Sequence, residues 1–307
     1  MMEVGIYNIP THLLKSNETH TRGDRYYQIF HVYPATEPLY LSFEKSYDPH
    51  PIIKIMIESN YLVPFGAVIS YALFCFYGTK IMKGRKPFDL LRPLAAWNLF
   101  FSIFSFYGAI RTVPHMLHRI FTSTFEQTVC ESPHTAFGAG ACGLAVQLFI
   151  ISKIPELIDT VFIVLRKKPL IFLHWYHHVT VLLYCWNAYV TESAAGLYFV
   201  SMNYTVHAVM YFYFYLQAVK LMPKWFPSWI ITVMQISQMI VGTFIVGACM
   251  YYHFYGGSLY RPGKCHNEVS NLVAGGVIYA SYLYLFVVFA MKRYIFGVND
   301  ASKSKKT

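Results

Sequence analysis

Three histidines stand inside an otherwise apolar run, residues 170–186, which reads LIFLHWYHHVTVLLYCW. His174, His177 and His178 fall at i, i+3 and i+4, so a helix projects all three from one face, within about a third of its circumference. A lone histidine there would read as a satisfied interior polar group. Three bring two ring nitrogens each that need partners, and the neighbouring sequence supplies none. Imidazoles so placed can act as nucleophiles, as general acids and bases, or as metal ligands.

Other apolar runs carry polar residues too. SKIPELIDT holds Lys153, Glu156 and Asp159, with Lys153, Glu156 and Thr160 on one helical stripe. Each ionisable group costs several kcal/mol at mid-bilayer unless it faces a protein interior and finds a partner. Mutual neutralisation of Lys153 and Glu156 would explain how the charges are tolerated, not why they are there. Pro155 frees a carbonyl one turn earlier, which predicts a bend. Asn203 and His207 are four apart, followed by Met210, Tyr211 and Tyr213, while Thr232, Gln235 and Gln238 recur at steps of three. Singly these are ordinary interhelical hydrogen-bonding residues.

The elements that must hold them are membrane helices. Of 307 residues, 55% are hydrophobic and only 13% charged, with mean hydropathy +0.37, which excludes an ordinary soluble enzyme. The net charge of +10 sits mainly in short clusters beside the apolar runs, and no nucleic-acid module is visible. Seven runs are expected to span, at 61–78, 93–110, 141–165, 169–190, 194–219, 226–252 and 269–291. Basic clusters follow at Lys80 to Lys86, Arg166-Lys167-Lys168, Lys220 with Lys224, and Lys292-Arg293. The positive-inside bias puts these ends in the cytosol and the N-terminus in the lumen. The organisation expected is an N-terminal lumenal tail over 1–57, a seven-helix membrane domain over 58–293 and a basic cytosolic tail over 294–307. Arg111 and Arg119, in a long loop expected over 111–140, are the exceptions to the bias.

No basic stretch followed by an apolar core opens the chain, so no cleavable signal peptide is expected. Asn17 sits in a glycosylation sequon that counts only if the tail is lumenal. The terminal KSKKT resembles a dilysine signal for retrieval to the endoplasmic reticulum, or is a solvated basic tail. Cys75, Cys142, Cys185 and Cys249 lie in apolar runs and read as packing residues. Cys130 and Cys265 lie in loops assigned to the oxidising lumen, where they form a disulfide or remain two free thiols.

Counting at about 1.5 Å per helical residue from the cytosolic clusters, Glu156, Asp159 and the three histidines lie roughly 9 to 15 Å deep, and His207, Gln235 and Gln238 roughly 16 to 21 Å. One polar chamber nearer the cytosol is expected, with apolar and aromatic walls suited to a polar head on a long greasy tail. Three functions compete for it. A metal-dependent desaturase or hydroxylase shares the HxxHH spacing but draws on more histidines than His174, His177, His178 and His207, although these with Glu156 and Asp159 could hold one ion. A non-enzymatic seven-span receptor or transporter gives no reason for the clustered imidazoles. Acyl chemistry needs only a neutral ring and an orienting partner.

Four ordered boxes decide among them. KIPELIDT, HWYHH, HAVMYFYF and TVMQISQ, spread over residues 153–238, resemble in order and spacing the KxxExxDT, HxxHH, HxxMYxYY and TxxQxxQ boxes of the ELO family of very-long-chain fatty acid elongases. Phe214 departs from the pattern, where a second Tyr is usual. Trp175 makes the histidine box most like that of the branch acting on saturated and monounsaturated chains. The resemblance implies an all-α integral membrane protein of the endoplasmic reticulum, with helices two to seven enclosing an acyl tunnel and the first packed outside. It implies a 3-ketoacyl-CoA synthase that condenses long-chain acyl-CoA with malonyl-CoA and releases CO2 and CoA, with no metal or other cofactor. Its partners would be the reductases and dehydratase of the elongation cycle. His177 is the expected nucleophile or general base. His174, His178, His207, Asn203 and Gln238 would complete the catalytic set. Lys153, Glu156, Asp159, Tyr211 and Gln235 are expected to bind substrate, and Arg166, Lys167 and Lys168 the CoA phosphates.

Overall fold

The computed structural model describes residues 26–223 and 225–297; Asn17, Lys224 and the terminal lysines lie outside them. The described residues are helical, with no strand among them. Four helices are long and apolar enough to cross a membrane: α1 (Leu62–Lys83), α2 (Leu91–Thr122), α7 (Trp229–Tyr255) and α8 (Val269–Ile295). Between α2 and α7 lie α3 (Gly140–Ser152), α4 (Ile158–Leu165), α5 (Phe172–Val190) and α6 (Gly196–Ala218). The 19 residues of α5 and 23 of α6 reach about 29 and 35 Å, but these helices carry the polar residues and are correspondingly less apolar.

Pro155 accounts for the break between α3 and α4. A single tight turn, Pro155–Leu157, separates them, because proline removes one backbone donor and its ring crowds the carbonyl a turn earlier. Helix packing elsewhere is set by close approach. A side chain at Gly108 of α2 would meet the Tyr204 ring of α6 at 2.2 Å, and one at Gly242 of α7 would meet Tyr279 of α8 at 2.1 Å, so bare backbone is required where each ring docks.

Two expectations are corrected here. The second apolar run does not end at Ile110; α2 continues through Pro114 to Thr122, so Arg111 and Arg119 are helical rather than in a loop. Their charges are neutralised in ion pairs, Arg111 with Glu44 at 2.9 Å in a buried pair and Arg119 with the half-buried Glu131 at 2.8 Å. The second concerns the stretch up to residue 57, which over its described part is built into the fold rather than trailing from it. Glu44 is fully buried, and Met56 joins the core of Phe149, Ile150, Trp186 and Tyr204. Burial works to raise the Glu44 carboxyl, but hydrogen bonds from Tyr107, Arg111 and the Leu41 backbone hold it below the usual carboxylate range.

At the same end of the bundle, Cys130 and Cys265 form a disulfide with Cα atoms 4.4 Å apart, joining the segment after α2 to the segment before α8. Cys75, Cys142, Cys185 and Cys249 are free.

Candidate active site

A cavity of about 680 Å³ opens among α2, α4, α5, α6, α7 and α8. The histidine face of α5 forms one wall, with His174, His177 and His178 all at the cavity; the ring centroids of His174 and His178 are 4.5 Å apart and those of His177 and His178 5.5 Å. Helix α6 adds Asn203, His207 and Tyr211, and α7 adds Thr232, Gln235 and Gln238. Glu156 and Asp159 come from the broken third segment. Four boxes distant in sequence thus line one space, because helices of alternating direction present their polar residues at a common height.

No described side chain hydrogen-bonds the ring nitrogens of His177, His178 or His207. These rings present donors and lone pairs to whatever fills the cavity. His174 differs: its Nε2 lies 2.8 Å from the Thr160 hydroxyl, itself 2.8 Å from the Tyr71 hydroxyl of α1. The Tyr282 ring of α8 packs 5.1 Å from His177, and its hydroxyl donates to the His177 carbonyl at 3.3 Å. Every oxygen of the two carboxylates accepts at least one hydrogen bond. Asp159 accepts from the Trp97 indole at 2.6 Å and from the Tyr211 hydroxyl at 2.7 Å. Glu156 accepts from Ser152 at 2.8 Å and from Lys153 at 2.7 and 3.0 Å.

Two expected substrate-binding residues do not line the cavity. Lys153 is only 2% exposed, with its ammonium held by Glu156, by Asn203 Oδ1 at 3.3 Å and over the Phe149 ring at 4.0 Å. It has no free donor to offer a ligand; it orients Glu156 and Asn203, which do reach the cavity. Lys167 turns away and donates to the backbone carbonyls of Lys83 and Arg85, each at 3.1 Å, tying the end of the third segment to the end of α1. Arg166 and Lys168 remain at the cavity, joined by Arg293 and Tyr294 from the end of α8.

Sequence reasoning had missed Tyr71, Trp97, Asn98, Arg293 and Tyr294. Only Arg293 carried a signal, and it read as a topology determinant. A tyrosine or tryptophan in an apolar span has no pattern separating one that faces lipid from one that meets a buried carboxylate. Among the described residues no group of three His, Cys, Asp or Glu side chains has the geometry to hold a metal ion.

Comparison with known proteins agrees with the boxes. The chain is 41% identical over 266 residues to very long chain fatty acid elongase 6 of Gallus gallus, covering 85% of this chain and 95% of that one. It is 38% identical over 270 residues to very long chain fatty acid elongase 6 of Homo sapiens, covering 86% and 96%. To very long chain fatty acid elongase 6 of Drosophila melanogaster it is 40% identical over 254 residues, covering 82% and 78%. Residues 56–305, which include every box and every helix that lines the cavity, match the ELO family, described as GNS1/SUR4, and the chain belongs to that family.

Proposed function

We propose that this chain is a very-long-chain 3-oxoacyl-CoA synthase that condenses long-chain acyl-CoA with malonyl-CoA. The observation that carries the reading is the joining of three imidazoles of α5 with His207, Asn203 and Gln238 in one cavity that has Arg166, Lys168 and Arg293 at its other end. Those cations suit the phosphates of a CoA. An acyl tail needs an apolar channel, and a separate cavity of about 70 Å³ lies along the far half of α5 and α6, lined in part by Val146, Phe149, Tyr184, Cys185 and Phe199.

In the first half-reaction a lone pair of neutral His177 attacks the thioester carbonyl. The C–S bond breaks, and the thiolate takes the ring proton to leave as CoA. An acyl-imidazole has a group-transfer potential comparable to that of a thioester, so the step need not be uphill. In the second half-reaction malonyl-CoA loses CO2, and the resulting enolate attacks the acyl carbon. The new C–C bond expels the ring as imidazolate, which takes one proton from solvent to replace the proton that left with CoA. Donors from His207, Asn203 and Gln238 stabilise the enolate oxygen, and the scheme calls on no metal. His174 and His178 orient the ring and support the oxyanion.

Microsomes expressing the chain are expected to convert acyl-CoA and labelled malonyl-CoA into 3-oxoacyl-CoA two carbons longer. Lys168→Ala with Arg293→Ala should raise KM for the CoA substrates several-fold, about 1 kcal/mol for the two lost charge contacts together. Absence of chain-extended product from a panel of acyl-CoAs would overturn the assignment.

The same reading makes the fold a seven-span bundle of the endoplasmic reticulum, counting α3 with α4 as one span, with α2 to α8 around the acyl tunnel. The N-terminal segment is lumenal, residues 294–307 form the cytosolic tail, and the 3-oxo product passes to the reductases and dehydratase that complete a cycle. Asn17 should then acquire a glycan in microsomes, absent from Asn17→Gln; protease cleavage of the N-terminal segment in sealed microsomes contradicts the orientation.

A further inference from the structure

We infer that Tyr71 on α1 is a positioning residue for the reaction, acting through Thr160 to fix which nitrogen of His174 faces the substrate as a donor. This rests on the reading of the cavity as a condensation site. Helix α1 otherwise sits outside the cavity, with Phe65, Ile69, Leu73 and Phe76 each more than half exposed. Tyr71, at 5% exposure, is with Pro64 and Met82 one of its few buried residues, and its ring packs 6.1 Å from that of His178.

The hydroxyls of Tyr71 and Thr160 and the Nε2 of His174 form a chain with 2.8 Å at each link, and the Cys75 thiol, a weak donor, lies beside the Tyr71 hydroxyl at its far end. Thr160 is fully buried, and its one proton serves only one of the two links. A phenol is the stronger donor and weaker acceptor of the two hydroxyls. Tyr71 therefore donates to Thr160, and Thr160 donates to Nε2. His174 must then carry its own proton on Nδ1, which leaves an N–H for the thioester oxygen or a neighbouring ring at the cavity. Without the Tyr71 hydroxyl, Thr160 is free to turn and accept from Nε2–H instead. Nδ1 then becomes a bare lone pair, and the donor is lost for part of the population.

The test is steady-state kinetics of the full-length protein in microsomes, with palmitoyl-CoA as the probe acyl-CoA. Tyr71→Phe should lower kcat about ten-fold while KM for both CoA substrates stays within about two-fold, because the lost order affects the transition state more than ground-state binding. Thr160→Val should lose at least as much, and Thr160→Ser, which keeps the hydroxyl, should restore kcat relative to Thr160→Val. A purely structural role would lower the amount of folded protein and leave the kcat of the remainder alone. Should Tyr71→Phe accumulate poorly, the Thr160 pair decides. A Tyr71→Phe kcat within about two-fold of wild type, or Thr160→Ser as impaired as Thr160→Val, overturns the inference while wild-type activity stands. A wild-type protein that forms no chain-extended product overturns the condensation reading and this inference with it.

Discussion

Replacing His177 by alanine is expected to abolish condensation, with a loss of at least about three orders of magnitude, and to leave the protein folded. General acid–base catalysis by one positioned group contributes about 10²–10⁴ by itself, and loss of the only attacking atom removes a covalent route as well. Folding should tolerate the change, since the ring makes no hydrogen bond to a described side chain and borders a cavity rather than filling a packed core. His174→Ala and His178→Ala should be impaired less completely, because they support the attack without making it. The check is product formation normalised to the amount of protein in the membrane, and full activity in His177→Ala would remove this residue from the mechanism.

The second large effect is on stability. Lys153→Met removes the cation from a site in which Lys153 and Glu156 are each 2% exposed. Glu156 would keep Ser152 as a donor and lose two contacts from the ammonium. Stranding a buried charge in this way costs about 3–5 kcal/mol, while replacing both partners together is often nearly neutral. Lys153→Met should therefore lower the thermal midpoint in detergent sharply, and Lys153→Met with Glu156→Gln should recover much of it. Activity should not return in the double variant, because Asn203 loses the group that orients it at the cavity and the Glu156 carboxylate is itself gone. A single variant as stable as wild type would mean that the pair does not hold this part of the site.

Much of this was legible in the sequence where periodicity and charge act together. The i, i+3, i+4 spacing of His174, His177 and His178 forces one face, and Pro155 forces a break, whatever surrounds them. Basic clusters at run ends located most helix ends to within a few residues. What escaped the sequence was tertiary pairing. Arg111 read as a loop cation because Glu44, its partner 67 positions earlier, sits in a stretch that reads as a tail. Lys153 and Lys167 read as ligands for a substrate, Lys153 from its place in the KxxExxDT box despite the possible pair with Glu156 and Lys167 from its basic cluster; each is engaged, by a carboxylate in one case and by two backbone carbonyls in the other. Trp97 and Tyr71 gave no signal at all, since their function resides in one polar atom meeting Asp159 or Thr160 across a helix interface.

The central claim is that His177 takes the acyl group before malonyl-CoA arrives, and release of CoA from acyl-CoA alone tests it most directly. Purified protein mixed with acyl-CoA and no malonyl-CoA should liberate free CoA in a burst of about one equivalent per active site, and His177→Ala should liberate none. Absence of a burst from a wild-type protein that still condenses both substrates would contradict the covalent step and leave His177 as a general base.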